Sequence, residues 1–257
     1  MTLRYVYSIA PSFSAPDIDR AALAGIDDSR VRAIAESDLA AVTSDLPEDE
    51  WRDDVLNERI RDLEWLTPRA AAHQEVNARA LELAGALIPL SFGALYRGDD
   101  RVREMLRDDR DAKVRKLDEL RGKAEWVVTL TRDAGDVPLM TADLVALDRE
   151  IAASDPGRAY LLEKRRTNVA TAAAERADDD AARRAFDALA MVSERTYREP
   201  VPRGGPDVVA LRVSLLAPRS DPSVQQAIAR ITTELGDEGY RVHSSGPWPA
   251  YRFGSLP

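Results

Sequence analysis

The chain has 257 residues, 36 Lys and Arg against 45 Asp and Glu, two histidines and no cysteine, for a formal charge of −9. The lack of cysteine excludes a disulfide framework, a thiolate zinc site, an iron–sulfur cluster and a thiol nucleophile, and leaves His73 and His243 as the sole imidazoles. An acidic balance with 6% aromatic residues argues against nucleic-acid binding, while 44% hydrophobic residues in this length suit one large or two modest domains.

The opening residues lack a basic lead-in and a signal-length apolar core, and no apolar run reaches about 18 residues. A cytoplasmic protein without membrane insertion is expected.

Leu3 to Ile9 alternates and is rich in strand formers, so it reads as a strand. A loop from Pro11 to Pro16 and a short helical piece or turn to Gly25 follow. Val31 to Ser37 and Leu39 to Thr43 read as a hairpin punctuated by Ser37-Asp38. The acidic run from Asp45 to Glu58 suits a helix start, where the macrodipole favours carboxylates. Thr67-Pro68 supplies an N-cap and first position for a helix to about Leu83, closed by Gly85. Leu87 to Tyr96 reads as one extended, partly buried strand that Pro89 makes irregular. Asp99 to Leu120 predicts a single charged amphipathic helix, ended by Gly122.

Trp126 to Thr131 is the clearest strand, followed by a helix over Ala142 to Ala152. Ser154-Asp155-Pro156-Gly157 caps a new helix that meets no Pro or Gly before about Tyr197, with Asp178-Asp179-Asp180 as its one candidate break. A Pro- and Gly-rich loop spans Glu199 to Pro206. Val208 to Leu216, Pro222 to Leu235 and Tyr240 to Ser244 then predict strand, helix and strand. The second half is compatible with a split βαβ layout, and Gly122 marks the natural boundary.

The sequence holds no Gly-x-Gly-x-x-Gly, no Walker-type phosphate loop, no Gly-x-Ser-x-Gly elbow and no His-Glu-x-x-His motif. His73 on a helix reads as a surface or interdomain hydrogen-bonding residue. His243 and Ser244, adjacent on a strand, point to opposite faces and cannot form a nucleophile–base pair. The acidic run lacks the spacing of a calcium loop. The basic cluster Arg158, Lys164, Arg165 and Arg166 reads as a solvated helix face able to meet an acidic partner. Gly246-Pro247-Trp248-Pro249-Ala250-Tyr251 stiffens the backbone around a large ring, which either plugs a core or anchors a partner.

Several stretches carry a resemblance in chain order: Tyr5-Val6-Tyr7, His73-Gln74-Glu75-Val76, Leu87 to Gly93, Leu120 to Trp126, Gly157 to Leu161, and Gly246 to Phe253. Together they resemble the gas vesicle protein GvpL/GvpF family over nearly the whole chain, with departures at Ser91, Ala94 and Ala250. The resemblance implies an α+β fold of two domains: a ferredoxin-like N-terminal domain over 1–122, and a helix-rich domain with a smaller sheet, a long helix and a folded-back aromatic tail over 123–257. It implies a non-enzymatic, cytoplasmic, vesicle-associated assembly factor without cofactor or metal. Its partners would be the hydrophobic shell protein and other accessory proteins, and neither nucleic acid nor membrane. Two alternatives stay open: a minor component of the vesicle wall, and an enzyme whose site the sequence hides. The candidate partner-binding residues are Leu90, Phe92, Tyr96, Trp248, Tyr251 and Phe253.

Overall fold

The computed structural model describes residues 2–133, 141–201 and 207–255. The chain divides into two compact units: Met1–Glu125 with Pro218–Ser220 and Pro247–Pro257, and Trp126–Ala217 with Asp221–Gly246. The aromatic tail thus groups with the first unit.

The first unit begins with β1 (Thr2–Pro11), whose buried apolar run is that of a strand covered on both faces. Then come α1 (Ala15–Arg20), β2 (Arg32–Glu36), β3 (Leu39–Pro47), α2 (Glu48–Trp51), α3 (Asp53–Arg59), α4 (Leu63–Ala84), β4 (Ile88–Pro89), β5 (Leu95–Tyr96), α5 (Asp99–Arg107) and α6 (Arg110–Leu120). The sheet order is β2-β3-β1-β4 with antiparallel pairing throughout, and β5 pairs β1 as well. This is the interleaved split-βαβ topology of a ferredoxin-like domain. The hairpin turns at Ser37, whose φ is +54°.

Three elements differ from the sequence expectation. α4 starts at Leu63, because the Asp62 carboxylate accepts from the Glu64 and Trp65 amides at 3.0 and 3.4 Å, and Trp65 is buried. Pro68 therefore lies inside the helix, where it forfeits one backbone bond. The expected strand over Leu87–Tyr96 is two short strands with a turn between them. The expected helix over Asp99–Leu120 breaks into α5 and α6 at Asp109, whose left-handed conformation (φ +45°) aspartate tolerates better than most residues.

The remaining elements are β6 (Lys123–Asp133), α7 (Ala142–Ala152), α8 (Pro156–Ala190), β7 (Arg195–Arg198), β8 (Asp207–Pro218), α9 (Ser223–Gly236) and β9 (Arg241–Trp248). The second sheet is ordered β7-β8-β6-β9, the same order as the first when strands are counted within each sheet. β7 and β8 pair antiparallel.

α8 runs unbroken for 35 residues, about 52 Å at ~1.5 Å per residue. Asp155 caps it, accepting from the Gly157 and Arg158 amides at 3.1 Å. The aspartate run does not interrupt it, since Asp178 takes two bonds from Arg132 at 2.7 and 2.8 Å and one from the Tyr240 hydroxyl at 2.9 Å. It stops at Ala190, short of Tyr197, because Arg195–Arg198 leave to pair with β8. The loop expected to Pro206 lies outside the described residues from 202 onward.

Candidate functional site

Residues two apart on a strand share a face, so β1 points Tyr5 and Tyr7 the same way. A register irregularity between Val6 and Ser8 re-aims the second ring. It leaves the Tyr7 hydroxyl 2.8 Å from Ser44 Oγ, where it also accepts the Ile26 amide at 2.9 Å. Opposite, α4 places His73 and Asn77 one turn apart. His73 Nδ1 lies 2.8 Å from Tyr5 Oη, and Asn77 Nδ2 lies 3.0 Å from His73 Nε2.

Around this pair gathers a cluster of rings. Tyr5 lies 4.8 Å from Tyr7, 5.7 Å from Trp51 and 5.9 Å from Phe92 between ring centroids. Trp51 stacks obliquely on Trp65 at 5.1 Å, with Arg69 over the Trp65 ring at 4.4 Å. Phe92 reaches His73 at 5.9 Å and Tyr251 reaches it at 6.4 Å. Burial lowers the His73 pKa to about 4, opposed in part by the Leu90 backbone, and raises those of Tyr5 and Tyr7. At neutral pH the cluster is uncharged. His73 is thus a buried core residue of the first unit, not the surface or interdomain one expected from its helix.

Leu87 to Tyr96 is stapled to β1 around this cluster. The Leu90 amide donates to the Tyr7 carbonyl at 2.9 Å, the Gly93 amide to Tyr5 Oη at 3.2 Å, and the Val6 amide to the Ala94 carbonyl at 2.9 Å. Gly93 has φ +92°, and a Cβ there would meet Leu56 Cδ2 at 3.0 Å, so the turn needs glycine. The tail is held in the same unit. Tyr251 Oη accepts from Asn77 Nδ2 at 3.1 Å, and the Arg252 amide donates to Glu125 Oε2 at 2.7 Å. The Gly254 amide closes a tight turn on the Ala250 carbonyl at 2.6 Å.

The six sequence-derived residues all fall in this unit. Leu90, Phe92, Tyr96, Trp248 and Tyr251 are half-buried and Phe253 is buried. Phe92 and Tyr251 meet on His73. Tyr96 instead lines an open groove of about 470 Å³ with Leu95, Arg101 and Met105. The sequence candidates did not include Trp51, Trp65 or Asn77, nor Tyr5 and Tyr7, which entered only as a stretch carrying the resemblance. The alternate spacing of the two tyrosines and the one-turn spacing of His73 and Asn77 were the available signals.

Elsewhere, His243 and Ser244 are both exposed on β9. Asp45, from the acidic run, pairs with Arg4 at 3.0 Å and Arg32 at 3.5 Å, and Asp99 joins both arginines, which hold its pKa at about 2. Among the described residues there is no group of three or more His, Cys, Asp or Glu side chains arranged to hold a metal, and no helix long and apolar enough to cross a membrane.

A family model described as gas vesicle synthesis protein GvpL/GvpF matches residues 3–255. The chain belongs to the GvpL/GvpF family. This GvpL/GvpF chain is 29% identical to gas vesicle protein L of Streptomyces sp. (strain CB03234) over 258 aligned positions, covering 99% of the chain and 93% of that protein. Its fold is that of crystal structures of the gas vesicle protein GvpF. The one from Anabaena sp. PCC7120 gives a TM-score of 0.70 at 17% identity, covering 100% of this chain and 98% of that one. The one from Microcystis aeruginosa gives 0.71 at 16% identity, covering 99% of each. The family is one of gas vesicle accessory and structural proteins, so a role in gas vesicles follows from membership.

Proposed function

We propose that this GvpL/GvpF chain is an accessory protein that binds the hydrophobic shell protein, and other accessory proteins, to support vesicle assembly in the cytoplasm. A shell monomer exposes apolar surface before it polymerises and would aggregate in water. A partner with a fixed apolar surface shields it at low entropic cost. The observation that carries the reading is the stapling of residues 90–94 to β1 by three hydrogen bonds, which holds Leu90 and Phe92 half-exposed in a set conformation, with Tyr96 following on β5. Trp248 is a second contact in the same unit, and Tyr251 and Phe253 act with it by fixing the tail. Charged residues make up 32% of the chain and keep such a complex dispersed.

Co-purification of the tagged protein with the shell protein tests this. Leu90→Asp and Tyr96→Asp should abolish capture in a protein that stays folded with a modestly lower melting temperature, since both side chains are half-buried, whereas Phe253→Ala should lower capture through a larger loss of melting temperature. Capture that survives Leu90→Asp, Tyr96→Asp and Trp248→Ala together in a folded protein assigns the contact elsewhere. Buoyant vesicles in a cell lacking the gene would overturn the functional reading itself.

A further inference from the structure

Three stretches of the first unit are tied together where α4 ends. The Gly122 amide donates to the Gly85 carbonyl at 2.8 Å, and the Arg219 amide donates to the Gly122 carbonyl at 2.9 Å. Arg219 and Ser220 belong to the short piece Pro218–Ser220, which groups with this unit although the strand before it does not. Leu81, Gly122, Arg219, Ser220 and Pro247 line an open cavity of about 400 Å³, and all five are residues of the first unit. That volume falls in the range of roughly 300–1,000 Å³ typical of small-ligand sites.

Arg219 is half-buried, and its side chain makes one bond, from Nη1 to the Leu81 carbonyl at 3.2 Å. Among the described residues it has no carboxylate partner. By contrast Arg4, Arg32 and Arg132 each hold a carboxylate. The helix end does not need the Arg219 bond, since the Leu81 carbonyl already accepts the Gly85 amide at 2.9 Å. What the bond does is fix the guanidinium. It engages Nη1 and leaves the Nε–Nη2 edge, whose two parallel N–H groups match the two oxygens of a carboxylate. Beside it, Ser220 is exposed, and its hydroxyl has no hydrogen-bond partner among the described residues. Leu81 and Pro247 supply apolar wall. One unpaired cation and one free hydroxyl against apolar wall suit an anion with an apolar body better than a fully hydrated one.

We propose that this cavity binds a small organic carboxylate. The carboxyl group sits on the Nε–Nη2 edge of Arg219 with the Ser220 hydroxyl donating to it, and the apolar body lies against Leu81 and Pro247. Pro247 opens the tail segment, so the site is complete only when the tail is seated, and an occupant stabilises that seating by linkage. The inference does not rest on shell-protein binding.

Titration of the full-length protein with phenylpropionate, followed by NMR, tests it. The Arg219 Nε–H and the Gly122 and Ser220 amides should shift together, with a dissociation constant on the order of 1 mM. Phenylpropionamide, neutral and of the same shape, should bind at least about tenfold more weakly, and inorganic phosphate should shift none of these groups. Arg219→Gln should abolish binding with an unchanged melting temperature, because the Leu81 carbonyl keeps its Gly85 partner. Ser220→Asp, at an exposed position, gives the guanidinium a carboxylate of its own and should abolish binding too. That second variant decides the matter if the first fails to fold. The proposal is overturned if the Arg219 Nε–H does not shift by roughly 20 mM phenylpropionate. It is equally overturned if the amide or phosphate binds as well as the acid, or if binding survives in either folded variant.

Discussion

Asn77 Nδ2 lies 3.1 Å from Tyr251 Oη across 174 residues of sequence, and the same amide lies 3.0 Å from His73 Nε2. One side chain on α4 therefore links the buried histidine to the tail. Its own carbonyl oxygen is buried without a hydrogen-bond partner, so the amide group is its contribution to the link. Tyr251→Phe removes one neutral hydrogen bond and should cost about 1 kcal/mol. Asn77→Ala removes both bonds and opens a small cavity, for about 2–3 kcal/mol. A double-mutant cycle on urea unfolding should show the pair coupled.

His73 makes the first unit sensitive to mild acid. Its folded pKa of about 4 lies below the usual 6.5, so the unfolded chain takes up the proton more readily. The stability contributed by the neutral ring is complete above pH 6.5 and is lost as pH falls from there towards 4. The groups facing the ring are the Tyr5, Tyr7 and Tyr251 phenols, Phe92, the Asn77 amide and the Leu90 backbone; only the last favours the charged form, and it offsets burial in part. The loss should be at most about 3 kcal/mol. Urea midpoints measured from pH 7.5 to pH 4 should show the decline in the wild type and a flatter profile in His73→Gln. A wild-type profile as flat as the variant's would contradict it.

The tail turn offers a sharper perturbation. A Cβ on Gly254 would lie 2.5 Å from the Ala250 carbonyl oxygen and 3.1 Å from Pro89 Cδ, and the first of these is backbone that cannot swing aside. Gly254→Ala should displace the neighbouring Phe253 and destabilise by about 1–3 kcal/mol. Limited proteolysis should then cut the tail first, before the rest of the unit.

In the second unit, Arg132 and Asp178 are 7% and 13% exposed and share a bidentate pair, to which Tyr240 adds a bond. Asp178→Ala deprives a buried guanidinium of its carboxylate and should cost about 3 kcal/mol. Tyr240→Phe should cost nearer 1 kcal/mol. Thermal melts of both variants check the ranking.

What could be read in advance followed from local signals. β1 and the hairpin were legible because strand formers ran up to Ser37-Asp38, a turn dipeptide. The start of α8 was legible because Asp155 and Pro156 obey capping rules that need no tertiary partner. The start of α4 was misplaced because Thr67-Pro68 satisfies the same rules. Burial of Trp65 beside Trp51 chose the earlier Asp62 cap. β7 was invisible: four residues with two arginines at a sheet edge carry no strand pattern, and only pairing with β8 makes them one. In the candidate site, Phe92 and Tyr251 stood out through motif resemblance. Their convergence on His73, with Trp51 and Trp65 closing the cluster, depends on contacts between distant segments that periodicity does not encode.

The first unit is assembled from stretches on either side of the second in the sequence, since residues 247–255 supply Tyr251 and Phe253 to it. On the ribosome, residues 126–217 and 221–246 are made before that last piece emerges. The His73 cluster thus waits, unlatched, through the synthesis of an entire neighbouring unit. A nascent chain that has emerged as far as residue 246 holds every residue of its second unit and lacks the last stretch of its first, so the first unit closes only once that stretch is out.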